Sequence, residues 1–159
     1  MKRSVIILLT ALLILLAGCT EPTAELPDPF EADVSAVSDG LSFTAHASLS
    51  GGELTLGVST PDELSGITYT VSDSEMSASY SDLSCVLSPD SLAGSTAPRL
   101  LYDALAHVSE ARFIESVDGA NVFELTLTDG KAKLVFSGGE LSELSADFSP
   151  YIFTFTHEQ

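Results

Sequence analysis

The sequence predicts a mainly β, α+β fold: one curved antiparallel sheet or half-barrel of about nine or ten strands wrapped around a single main helix, with a β-sandwich as the alternative. Three observations carry this expectation. From Phe30 onward apolar and polar residues alternate with a period of two; short links rich in Asp-Gly, Gly-Gly and Ser separate the alternating runs; and only one segment, Pro98 to Val108, has clear helical spacing.

The runs follow one another closely. Phe30 to Val37 opens the series, and Leu41, Phe43, Ala45, Ala47 and Leu49 then alternate with Ser42, Thr44, His46 and Ser48, a strand with one dry and one wet face. Leu54 to Val58, Ile67 to Val71 and Glu75 to Tyr80 read as the next strands, linked through Ser50-Gly51-Gly52 and Asp73-Ser74. Such short links force antiparallel neighbours, since a parallel pair needs a crossover of a dozen or more residues. Ser88 to Leu92 reads as a capped helical turn. Pro98 to Val108 follows, with Leu101, Leu105 and Val108 at i, i+4 and i+7 and proline in the first turn, where its missing N–H costs nothing. The dry stripe of that helix needs a surface to cover, and the sheet offers one. Period two then resumes in Arg112 to Val117, Val122 to Thr128, Ala132 to Ser137, Leu141 to Phe148 and Ile152 to Thr156, punctuated by Asp118-Gly119, Asp129-Gly130 and Gly138-Gly139.

The first 29 residues are of another kind. Lys2 and Arg3 precede an apolar run from Val5 to Ala17, interrupted only by Thr10. About 13 residues make roughly 20 Å of helix, short of the ~30 Å of a bilayer core, so the run fits a secretory signal better than a permanent span. It ends in Leu16-Ala17-Gly18-Cys19, which resembles the lipobox of bacterial lipoproteins. The resemblance implies cleavage after residue 18, a diacylglyceryl group on Cys19 and an extracytoplasmic protein held at the membrane by lipid. Two acyl chains anchor a domain where one is marginal. Residues 19–29, with Pro22, Pro27 and Pro29 among three acids, read as an extended tether with nothing to pack, and residues 30–159 as a single domain.

Pro61, Leu64 and Gly66, standing between two strands as P-x-x-L-x-G, together with the lipobox, the middle helix and the closing meander, are similar to small clostridial-type lipoproteins with a LolA/LolB-like half-barrel. That resemblance covers most of 30–159. It implies either a carrier of lipids or lipoproteins on the concave side or a non-enzymatic protein partner.

Composition narrows the function. From Cys19 on, four basic residues face 23 acids, a formal charge of −19. A surface so acidic excludes nucleic acid as the expected partner and favours a basic envelope protein or peptide. No Gly-x-Ser-x-Gly elbow is present, and His46, His107 and His157 lack the i, i+2 or i, i+4 spacing that nucleates a transition-metal site. Asp73, Glu75, Asp82, Asp118 and Asp129 are scattered over turns without a calcium-loop run. His46 is expected on a wet face, His107 near a helix C-terminus and His157 in a mobile tail. Cys85, between Leu83 and Leu87, is expected in the core. No catalytic residue, cofactor or metal is therefore expected. The leading expectation is a membrane-anchored, non-enzymatic binder of an envelope protein. The alternative is a lipid or lipoprotein carrier whose concave cavity is lined by Leu101, Leu105, Tyr151, Phe153 and Phe155; an enzyme ranks last.

Overall fold

Among the described residues the alternation resolves into eleven strands rather than nine or ten. The computed structural model describes residues 21–87 and 96–157; the lipobox, the signal segment and the expected turn at Ser88 to Leu92 lie outside them. Six strands come first: β1 Phe30–Ser38, β2 Leu41–Ser50, β3 Glu53–Thr60, β4 Thr68–Val71, β5 Met76–Tyr80 and β6 Leu83–Leu87. The helix α1, Ala97–Ala106, leads through a 3-10 turn at Val108–Glu110 into β7 Arg112–Val117, β8 Ala120–Leu127, β9 Gly130–Ser137, β10 Glu140–Ala146 and β11 Ile152–Thr156. The added strand is β6, which pairs with β5 across the two-residue loop Ser81-Asp82. The expected helix to Val108 stops two residues earlier, because the chain tightens into the 3-10 turn.

All pairings are antiparallel, in the order β6-β5-β4-β3-β2-β1-β11-β10-β9-β8-β7. Two meanders, β1 to β6 and β7 to β11, are thus joined where the first and last strands pair, Val34 opposite Phe155 and Ala36 opposite Phe153. This is one open sheet, so the β-sandwich alternative is overturned. Local chemistry sets the register. Gly51 and Gly52 both take positive φ, 58° and 79°, as a two-residue hairpin loop twisted to match its strands demands. That loop places Ser50 opposite Glu53, and Leu54 and Leu56 then fall on the same face as Ala47 and Leu49.

The sheet must curl, and the helix shows by how much. α1 packs against β3 and β4 on one side and against β8 on the other. β3 and β8 stand six strand steps apart in the sheet, about 29 Å if it were flat at ~4.8 Å per step. A helix with its side chains is only ~10–12 Å across. The sheet therefore wraps around it, helped by irregularities between Thr44 and Ala45, Phe113 and Ile114's neighbour Glu115, and Leu141 and Glu143. Leu100, Leu101, Ala104 and Leu105 of α1 are buried against Leu54, Leu56, Val71, Phe123, Leu125, Leu134 and Phe153. On the central strands the inward residues include Ala32, Ala36, Ala45 and Ala47, small side chains that leave room on the concave face.

The stretch expected to be a free tether joins this core. Ala24 is buried and Leu26 packs on the core, so the segment is not free over its whole length. No helix among the described residues is long and apolar enough to cross a membrane.

Truncating Leu101 to alanine should cost about 2–5 kcal/mol, because the buried cavity left behind cannot fully collapse. The same change at Leu83, 75% exposed, should stay within about 0.5 kcal/mol. Urea unfolding of both variants checks the contrast.

Candidate functional site

Where α1 begins, the described residues leave part of the sheet uncovered. The N-terminal turn of the helix (Thr96, Ala97, Pro98) faces Leu41 and Phe43 of β2, Leu56 and Val58 of β3, Leu64 and Tyr69, and Tyr151 beside β11; together they enclose an apolar cavity of about 200 Å³. The reason lies in the helix itself. Its first inward side chain is Ala97, too short to reach the sheet, and the next position is proline. Leu100, the first large inward residue, sits one turn further on. Leu41, 42% exposed, stands at the mouth.

The cavity wall is held by ring contacts, one edge-on and one tilted. Phe43 and Tyr151 lie 6.4 Å apart at 66°, and Tyr151 lies 5.8 Å from Phe153. The only side-chain polar atom buried without a hydrogen-bond partner among the described residues is Oγ1 of Thr96, at this same end of the helix. Thr96 occupies the N-cap position without making the side-chain capping bond usual there.

At the other end of α1 a wider, more open groove of about 490 Å³ runs between Leu105, Ala106 and Val108 and the β2–β3 turn, with Glu25, Leu26, Pro27 and Asp28 along its rim. Among the described residues the concave side is thus plugged in the middle and open at both ends of the helix.

Polar ties keep the plug in place. The Tyr102 hydroxyl shares its proton between Asp73 Oδ1 at 2.9 Å and the Gly52 carbonyl at 3.2 Å. Arg99 grips Asp103 one turn on with two nitrogens, Nε donating to Oδ2 at 3.0 Å and Nη2 lying 2.8 Å from Oδ1, while Nη1 donates to the Ser72 carbonyl. Its guanidinium carbon also lies 5.3 Å from the Tyr102 ring centroid. Burial first, then the hydrogen bond and charge of Asp73, push the Tyr102 hydroxyl from its ordinary 10 up to about 12.

The five residues expected to line a cavity separate into three groups. Tyr151 lines the apolar cavity and Leu105 the open groove. Leu101, Phe153 and Phe155 are packed core, 6% exposed at most. Sequence reading missed Phe43, Tyr69 and Ala97, which share the site with no spacing in common; Leu64 was visible, but only as part of a link. Cys85 is exposed, not buried, because β6 extends beyond the cover of the helix. His157 is anchored rather than loose: Nε2 donates to the Leu141 carbonyl at 2.8 Å and the ring packs on Phe30. His46 lies on the wet face as expected, 3.0 Å from Asp33 in an exposed pair that contributes little to stability. His107 Nδ1 donates to the Asp103 carbonyl at the end of α1.

Tyr102→Phe should destabilise the fold by about 1–2 kcal/mol at neutral pH through the lost hydrogen bonds. The pH dependence has a definite sign. The folded-state pKa is the higher one, so the tyrosine contribution is whole below about pH 10 and is lost as pH rises through about 12. Urea midpoints of the two proteins should therefore converge across that window.

A scan against protein-family models finds no match, and a search of curated proteins finds none either. Among solved structures the chain is similar to a LolA superfamily protein from Nitrosomonas europaea, with 10% identity and a TM-score of 0.45 over 82% of this chain and 84% of that one.

Proposed function

We propose that this chain is a non-enzymatic extracytoplasmic protein, anchored through lipid on Cys19, that receives the end of an alkyl chain of a lipid or lipoprotein between the start of α1 and the sheet. The observation that carries this reading is the apolar cavity bounded by Phe43, Val58, Leu64, Tyr69 and Tyr151. Its volume is below the ~300–1,000 Å³ of sites that enclose a whole drug-sized ligand. One chain terminus fits that space; a complete lipid requires α1 to move, against the ties of Tyr102 and Arg99. This favours an acceptor or holder over a shuttle, in keeping with an anchored protein. The burial of Ala24 leaves Thr20 to Thr23 as spacer, roughly 12 Å when extended, so the domain stays close to the bilayer. A second reading, binding of a basic protein, is favoured by charge: no lysine or arginine occurs from Ser4 to Pro98.

Photolabelling tests the first reading. A photoactivatable long-chain fatty acid, offered to the full chain in phosphatidylcholine nanodiscs, should label the peptides containing Phe43 or Tyr151. Ala97→Leu, which adds a side chain to the cavity wall, should cut that labelling at least tenfold while the thermal midpoint holds or rises. Equal labelling of the variant overturns the assignment. The anchor has its own check: protein extracted from membranes should begin at Cys19 with the mass of an acylated cysteine, and a chain that keeps residues 1–18 overturns it.

A further inference from the structure

Among the described residues, the outer flank of β6 ends the sheet on one side with no strand paired to it. Which groups point outward follows from the loop. Tyr80 and Leu83 close a two-residue turn and must exchange both of their hydrogen bonds, so by alternation Ala78 with Cys85 and Met76 with Leu87 do the same. Leu83, Cys85 and Leu87 therefore direct their N–H and C=O groups to β5, whereas Ser84 and Val86 direct theirs outward. The five residues of β6 include no charge and no proline, and the β5–β6 ladder has no bulge. The opposite edge, β7, has all but the proline: Arg112, Glu115 and a register shift between Phe113 and Glu115. Devices that discourage edge pairing are present at one end of the sheet and missing at the other. Two large apolar side chains on the open edge are accessible, Leu83 75% and Val86 70% exposed.

Charge selects what fits there. Between Phe30 and Leu87 stand nine acids and not one lysine or arginine. Asp82 and Glu75 flank the β5–β6 hairpin, both exposed. The Pro61 to Gly66 loop, with Asp62 and Glu63, reaches the same hairpin, since a Cβ on Gly66 would lie 3.3 Å from the Tyr80 ring. A second copy of the chain would bring another acidic half against this one; a cationic segment meets attraction instead.

We propose that β6 docks an extended apolar segment bearing lysine or arginine, from a partner protein, as a twelfth antiparallel strand. Main-chain bonds to Ser84 and Val86 supply the pairing, Leu83 and Val86, on opposite faces of the sheet, each contact an apolar side chain on the corresponding face of the segment, and the flanking acids select its charge. The surface is separate from the cavity at α1 and does not depend on alkyl-chain binding.

The test uses the full chain in phosphatidylcholine nanodiscs, with empty discs as blank, and two fluorescent heptapeptides. One is Lys-Val-Lys-Val-Leu-Val-Lys; the other has glutamate in place of lysine. Anisotropy should show the lysine peptide binding at least tenfold more tightly than its counterpart, with the preference shrinking as salt rises from 50 to 500 mM. Val86→Pro removes an outward N–H and spares the bonds to β5, so it should lower affinity at least tenfold with the thermal midpoint retained. If that variant misfolds, Val86→Lys substitutes, repelling the peptide from an exposed position. Ala97→Leu should leave peptide binding unchanged, which separates this result from failure of the alkyl-binding reading. Absent or equal binding of the two peptides, or full binding by the folded edge variants, overturns the proposal. Self-pairing also overturns it: diamide, taking up the two thiol hydrogens, would then link Cys85 to Cys85 of a second copy, the residues that face each other in a symmetric β6 pair.

Discussion

Burial of one short helix inside the curl of the sheet is the constraint on which the rest of this protein depends. α1 has ten residues, too few to be stable alone in water, and the sheet has an apolar face that water would otherwise wet. Each supplies what the other needs. Because α1 reaches β3, β4 and β8 at once, its removal would take away the surface that both meanders share. The small residues Ala32, Ala36, Ala45 and Ala47 belong to the same solution, since bulk on the central strands would hold the helix off and flatten the wrap.

The helix is not held evenly. Its polar side chains reach Gly52, Ser72 and Asp73, all in the β1 to β6 meander, whereas its contact with β8 in the second meander rests on apolar packing. One half of the half-barrel is thus tied to the plug by directional bonds and the other half closes over it. This arrangement explains why the space left on the concave side is small and sits at the helix ends: the middle is both packed and pinned, while one end presents only the short side chains of Ala97 and Pro98 and the other opens beside Ala106 and the turn after it.

Charge is distributed along the same division. All four cations after the N-terminal pair fall between Arg99 and Lys133, so the first meander is uniformly acidic and the second is mixed. Lys131 and Glu124 pair across β8 and β9 at 2.7 Å, a neutralisation that the first meander has no lysine or arginine to make. Acidity and an unguarded edge coincide on the first meander, and apolar space lies under the helix between the two. The two proposed contacts therefore fall on separate surfaces of one small domain.

Much of this was legible along the chain. Alternation from Phe30 to Thr156, paired glycines and Asp-Gly links, and the Leu101, Leu105 and Val108 spacing are local signals, and local signals determined the strands, their antiparallel sense and the one helix between two meanders. Cys85 and β6 show where such reading stops: alternation around Leu83 and Leu87 says that a segment is two-faced, but not whether anything lies over the dry face. Ala24, Leu26 and His157 failed in the opposite direction, polar or proline-rich surroundings hiding residues that the fold brings onto its core. The cavity was partly readable, through Tyr151, while Phe43, Tyr69 and Ala97 were not, being brought together from three separate elements. Periodicity is a property of neighbours along the backbone and was settled by the sequence alone. Cover, curvature and the gap beside α1 arise from strands six places apart closing on one helix, which only the tertiary structure decided.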